Sequence, residues 1–413
     1  AAAATGAGAG AARQRARRSI DSAAQEGAGA VPREWADRGH GEQSTVRSGV
    51  RGEHQQDTHE PLGYAHLPLP LHVQLIFVDS TSHRLFNARM LRTAAALQEL
   101  HRSGEFAHFT FSKYHALGPN SRANITPMFR GQRPTTPFKS VHNRFIWEYY
   151  QDAGYVGLWL LEECTDYFEK YWSHMNESLG IDVEVIQPFC HPSYGWVSAN
   201  HRCVGQEFAH VRMQHAEANF RAAYSQFLQF RVSLWMEGHD GGMLKNIAIM
   251  DPGLADRLQS QQGSGELNNT LTVIIADHGP NVGPFYEWLG SVHTQQYLPA
   301  LHVLVPEWVL QRHPGMRAAL RHNEHMLVTA WDVYASLRAL LHYPAPPPPN
   351  SDGTPWQPPE ARSLFNEHIS PSRTCQDAGI PARYCVCGRT LRGARWDPPP
   401  DTSSSSSSDS EGD

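Results

Sequence analysis

Two apolar runs, each closed by an aspartate, constrain this chain more than any other feature. LHVQLIFV at residues 71–78 ends at Asp79, and LTVIIA at 271–276 ends at Asp277. Short continuous runs rich in β-branched and aromatic residues suit strands buried on both faces of a parallel sheet. Helical patterns lie between them. Residues 89–101 place Met90, Leu91, Ala94, Leu97 and Leu100 at helical spacing. Further helices are expected at 145–153, 167–175, 215–227, 251–261 and 326–341, and further strands at 106–111, 156–161, 230–235 and 300–305. Strands alternating with helices predict an α/β fold with a mostly parallel, doubly wound sheet. Ligands bind such sheets beyond the carboxyl ends of the strands, so Asp79 and Asp277 belong at the functional edge.

The flanks differ from this middle. Residues 1–68 are rich in Ala, Gly, Arg and Gln and read as a disordered N-terminal segment. The α/β domain is expected over 69–345, a Pro-rich linker over 346–362, a Cys-containing extension over 363–397 and an acidic Ser-rich tail over 398–413. With 40% hydrophobic residues the middle can build a sizeable core. A formal charge of −6 gives no general basic field, so nucleic acid is not an expected partner. No stretch approaches the roughly 18 uninterrupted apolar residues of a membrane span. Oligomeric state is left open.

Six cysteines are too few for a disulfide-dense scaffold, but they are grouped. Cys190 and Cys203 bracket one loop, and Cys375, Cys385 and Cys387 cluster after the proline run. Disulfides fit this grouping better than zinc, because no CxxC pair recurs. Disulfides imply a secretory or extracellular location. The sequons at Asn124, Asn176 and Asn268 agree with it. Since the chain begins at Ala1 rather than Met, an upstream signal or anchor segment is part of that expectation.

Three pieces carry chemistry. In IIADHG, Asp277 and His278 follow a buried strand and can aim two ligands at one point; imidazole with carboxylate suits zinc or manganese, whereas calcium or magnesium prefers oxygen. The same residues also make a good turn. Asp79 follows the first strand and is equally suited to capping the next helix. In GPNSRANITPMFRG, Ser121 sits at the mouth of a short helix, with Arg122 beside it as an oxyanion partner; an ordinary serine cap has the same pattern. Together, two strand-end carboxylates, one imidazole and one hydroxyl describe a metal-activated nucleophile. Glu162 and Glu163, after strand 156–161, read as a solvated helix start.

The run IFVDSTS, GPNSRANITPMFRG, GYVGLW, LNNTLTVIIADHGPNVGPF, YLPALHVLVP and SRTCQDAGIPARYCVC, in order over about 70–390, resembles a family of unknown function within the alkaline-phosphatase/sulfatase superfamily. The resemblance implies a three-layer α/β/α fold with a divalent-metal centre. It places Asp79, Asp277 and His278 at metal-ligand positions and Ser121 at the nucleophile, its oxygen also a metal ligand. His239, in WMEGHD, resembles the family's His-Asp element, as a group for substrate binding or leaving-group protonation. Asp240 and His293 are the candidates for a second metal. Ser121 stands where formylglycine-dependent sulfatases carry Cys, and Ala123 where they carry Pro. The implied activity is therefore hydrolysis or transfer of a phosphate-type ester of a small molecule, glycan or lipid. The alternatives are a sulfatase-like hydrolase without formylglycine, and a degenerate binding module suggested by Gln295 and Gln296, where the family pattern is acidic.

Overall fold

The computed structural model describes residues 67–133, 144–162, 180–186, 203–204, 206–238, 243–281, 292–350 and 353–387. Seven strands form its central sheet: β1 (His72–Val78), β2 (Phe106–Thr110), β3 (Val156–Leu161), β4 (Val183–Ile186), β5 (Gln229–Trp235), β6 (Thr270–Ile275) and β7 (Leu301–Pro306). Their order is β2-β7-β6-β1-β5-β3-β4. The two strands with terminal aspartates, β1 and β6, are direct neighbours in register, His72 opposite Thr270 and Phe77 opposite Ile275. Every residue of β6 is buried, as its unbroken apolar run requires. The sheet is parallel except for β7, which runs antiparallel to both β6 and β2. Apolar content alone could not reveal that reversal, because both directions bury the same residues.

Helices cover both faces. On one lie α1 (His83–Arg89), α2 (Leu91–Arg102), α5 (Ala209–Ala223) and α6 (Met243–Gly263). Ile76 and Val78 of β1 meet Leu85, Leu97, Leu254 and Leu258 there, and Leu158 and Leu160 of β3 meet Met213 and Phe220. On the other face are α3 (Ser121–Arg130), α4 (Ile146–Asp152) and α10 (Ala330–Leu340). Trp159 of β3 packs between Phe129 and Trp147, with ring centroids 5.7 and 5.3 Å away. Tyr150 donates to the Leu337 carbonyl at 2.7 Å, joining α4 to α10. This is the three-layer α/β/α arrangement. Three further helices, α7 (Val292–Tyr297), α8 (Glu307–Arg312) and α9 (Pro314–Asn323), complete the described α-helices.

The expected helix 326–341 begins later than its pattern suggests, because Val328 and Thr329 pair in parallel with Tyr114 and His115 before α10 starts. The expected helix 167–175, the Cys190–Cys203 loop, and nearly all of both flanks lie outside the described residues. Among the described residues no helix is long and apolar enough to cross a membrane.

Beneath the sheet's functional edge, a polar network is sealed under α6. Glu217 pairs with Arg257 at 2.6 Å and Arg231 at 3.3 Å, while Gln74 of β1 bonds Gln261 and Arg257. Burial lowers the Arg231 guanidinium to about 9, with Glu217 opposing the shift. Residues 361–387 fold back onto the same unit. Asp332 of α10 is fully buried, accepts from the backbone N–H groups of Thr329 and Arg362 at 2.7 Å, and pairs with Arg373 at 2.9 Å. Cys375 and Cys385 form a disulfide, as the cysteine grouping predicts, and Cys387 is free and exposed.

Candidate metal centre

Local chain chemistry releases the key side chains from ordinary duties. Ser82, not Asp79, caps α1, accepting from the Leu85 N–H at 3.1 Å. Asn120, not Ser121, caps α3, its side chain accepting from the Ala123 N–H at 3.3 Å. Helix α3 then ends on Gly131 at φ 60°, a left-handed cap that glycine adopts without strain. Asp79 and Ser121 are left to face the sheet edge.

There they converge with the end of β6. Asp79 and Asp277 are fully buried, and Ser121 and His278 are 1% exposed. The Ser121 hydroxyl lies 3.5 Å from Oδ1 of Asp79. Ligand atoms of Asp79, Asp277 and His278 all lie within 4.8 Å of one another. Ser80 adopts φ 54°, an uncommon conformation for a non-glycine residue. That turn directs its N–H to Oδ1 of Asp277 at 3.3 Å and its hydroxyl to Oδ2 of Asp79 at 3.0 Å.

The donor set fits a divalent cation. His278 Nδ1 lies 2.6 Å from the Gly279 carbonyl, an acceptor, so Nδ1 carries the proton and Nε2 presents a lone pair. That Nε2 stands 3.2 Å from Oδ2 of Asp277, an oxygen that makes no hydrogen bond although buried. Two facing lone-pair donors in a dry site call for a cation between or beside them. Tyr114 adds an unexpected neighbour. Its hydroxyl is buried without a hydrogen-bond partner, and burial, then Asp277 and Asp332, push its phenol well above the ordinary value.

The remaining expected residues are placed as follows. Arg122 is exposed, on the first turn of α3. His239 and Asp240 lie outside the described residues, as does the side chain of His293 on α7. Gln296 is buried; its side-chain amide N–H donates to the Pro119 carbonyl at 3.3 Å, and its backbone carbonyl accepts from Gly279 N–H at 2.8 Å. A carboxylate there could not make the first bond, which gives the neutral amide a structural reason. Asn124 is buried and pins the loop before α3, accepting from Leu117 N–H at 2.6 Å, so its sequon is closed in the folded chain.

Glu162 corrects the sequence expectation of a solvated helix start. It is 6% exposed and forms a second buried cluster with His210 and Glu237. Glu162 follows β3 and Glu237 follows β5, so the adjacent strands β6, β1, β5 and β3 each deliver a carboxylate to one edge. Burial alone would raise Glu237; hydrogen bonds with His210 and Glu162 and the His210 charge outweigh it and hold this carboxyl below the ordinary range. His210 bonds Glu237 through Nδ1, and its Nε2 lies against Gly253, where an added Cβ would stand only 2.7 Å away.

One solved structure shares the architecture. The chain is similar to the C-terminal periplasmic domain of EcEptC from Escherichia coli in complex with zinc, at TM-score 0.50 and 11% identity, over 76% of this chain and 96% of that one. It is similar at TM-score 0.45 and 10% identity to the periplasmic domain of phosphoethanolamine transferase EptC from Campylobacter jejuni, over 74% and 97% of the two chains. A protein in the alkaline phosphatase superfamily from Vibrio parahaemolyticus is similar at TM-score 0.39 and 12% identity, over 58% and 61%. At 11% identity the likeness to the Escherichia coli domain speaks for the fold alone. No curated protein matches the chain by sequence. Residues 66–397 match the family described as "Protein of unknown function (DUF229)", and the chain belongs to that family.

Proposed function

We propose that this chain is a divalent-metal-dependent hydrolase or transferase acting on a phosphate-type ester through Ser121. The observation that carries the reading is the convergence of the Ser121 hydroxyl with Asp79, Asp277 and His278, all buried at one sheet edge. Asp79, Asp277 and His278 would hold the ion, with zinc or manganese suited to the mixed nitrogen and oxygen set. The zinc in the similar EcEptC domain supports the same choice. When bound, such an ion supplies Lewis-acid polarisation of the ester oxygen and favours the ionised serine.

The chain's own groups divide the work. Ser121 Oγ attacks phosphorus, the bond to the ester's leaving oxygen breaks, and the phosphoryl group rests on Ser121 until water or an acceptor alcohol takes it. Asp79 Oδ1 is placed to accept the Ser121 proton. The N-terminus of α3 favours negative charge at that oxygen. Arg122 is near enough in the chain to meet the non-bridging oxygens of a substrate at the rim. His239 is the proposed proton donor to the leaving group, and Asp240 and His293 the proposed ligands of any second ion. A glycan or lipid ester suits a secreted or extracellular protein, which the disulfide supports.

A binding module without turnover is the second reading, favoured by the neutral Gln295 and Gln296 beside the site. Elemental mass spectrometry of the purified protein and of Asp277→Ala separates the two. One or two equivalents of zinc or manganese, lost in the variant and accompanied by turnover of aryl phosphate mono- or diesters, are expected. A metal-free protein, even after reconstitution, would overturn the enzyme reading.

A further inference from the structure

The loop that delivers Ser121 is held from behind by the C-terminal segment. Between Cys375 and Cys387 the chain forms a strap, looped on itself by the Cys375–Cys385 disulfide. Val386 N–H donates to Nε2 of His115 at 3.2 Å. Since that nitrogen accepts, the proton of this fully buried imidazole sits on Nδ1, which lies 2.6 Å from the Ala116 carbonyl. His115 therefore bridges two backbones, the strap on one side and the Ser121 loop on the other.

Aromatic stacking runs parallel to this bridge. Tyr384 stacks on Tyr297 with centroids 5.3 Å apart, and Tyr297 stacks on His115 at 6.1 Å. Ala116, Tyr297 and Val386 share one apolar cluster. Ala116 N–H donates to the Tyr297 carbonyl at 3.0 Å, and the neighbouring Gln296 ties Pro119 to Gly279. The same few residues thus restrain the approach to Ser121 and the turn that follows Asp277-His278.

We infer that the disulfide-closed strap is a positioning element of the site, with His115 the residue that transmits its hold to the Ser121 loop. Ordering loop residues costs about 1–2 kcal/mol each, so a loop needs such external bonds to keep one geometry. A nucleophile displaced by about 1 Å loses much of its advantage, which makes that geometry functional. The inference rests on the proposed role of Ser121 only for its effect on turnover.

Hydrogen exchange read by mass spectrometry tests it without reference to activity. The probes are the amides of 116–118, each bonded to Tyr297 or Asn124. Reducing the folded protein with a dithiol breaks Cys375–Cys385 to two thiols and leaves the reagent as a disulfide. These amides should then exchange at least about tenfold faster, with β1 unchanged. His115→Phe, which keeps the stacking ring but lacks the acceptor, should do the same. His115→Gln, which restores an acceptor towards Val386, should stay near the parent. In an active preparation kcat should fall with KM nearly constant. Unchanged protection after verified reduction and in His115→Phe would overturn the inference. Faster exchange in a protein that turns over no ester would sink the enzyme reading and leave this one standing.

Discussion

Gly238 lies against the carbonyl oxygen of Asp79, so closely that a Cβ built on it would stand 2.1 Å away. The two residues follow adjacent strands, β1 and β5, and Asp79 N–H is itself bonded to the Trp235 carbonyl at 3.0 Å. A side chain at 238 must therefore move the backbone that carries Asp79. Gly238→Ala should lower stability by about 1–3 kcal/mol and weaken metal retention, measured by thermal unfolding and elemental analysis of the same sample. Full stability with full metal content would refute the close packing.

Ser121 is buried yet relieved of capping by Asn120, so removing its hydroxyl costs the helix little. Ser121→Ala should retain the fold and the ion while turnover of a phosphate ester falls about 10³-fold or more. Unchanged turnover would take Ser121 out of the chemistry.

A histidine cluster makes stability depend on pH. His302 is buried against Phe86, stacks on His108, and shares Thr110 with it. Burial, reinforced by His101 and Arg321, lowers His108 to about 4; burial with His108 and His83 lowers His302 far below its ordinary value. Both are neutral when folded, so the unfolded chain binds the extra protons below pH 6.5. Their stabilisation is full above 6.5 and is lost as pH falls towards 4, by up to about 1.4 kcal/mol per pH unit for each group. Urea titrations from pH 7 to 4.5 should show this slope, reduced by about one proton in His302→Leu. An equal slope in the variant would refute the assignment.

Glu217 neutralises two buried guanidiniums, Arg231 and Arg257. Glu217→Ala leaves both without their shared carboxylate and should destabilise the fold by about 3–5 kcal/mol in chemical denaturation. A loss below about 1 kcal/mol would mean that Glu266, which pairs with Arg231 at 2.5 Å, carries the network instead.

Cys387 is exposed, but burial of its sulfur outweighs nearby Lys113 and raises its thiol above the ordinary 9.0. The thiolate is the reactive form, so alkylation by iodoacetamide should accelerate with pH and reach its midpoint above 9.0. A midpoint near 8 would contradict that environment.

Strands and the first half of the site were legible in the sequence because each obeys a local rule. The runs ending in Asp79 and Asp277 are too apolar for anything but a buried strand, and a strand-end carboxylate belongs at the ligand edge. The same rule points to Glu162 and Glu237, each just past a strand, but His210 comes from the start of α5 and no spacing joins the three. The direction of β7 and the two-residue pairing of 114–115 with 328–329 follow from tertiary contacts, which periodicity does not carry. Capping was ambiguous for Asp79 and Ser121 because the true caps, Ser82 and Asn120, lie within three residues of them and have equal propensity.

The pairing of Asp332 with Arg373 sets an order on synthesis as well as on structure. All seven strands leave the ribosome before residue 373 does, and with them a carboxylate destined for complete burial. Until Arg373 emerges, α10 can dock only by leaving Asp332 short of its cation or by taking up a proton. The nascent sheet is therefore complete in sequence while its closing helix still waits, an interval in which a chaperone has access to the unfinished domain.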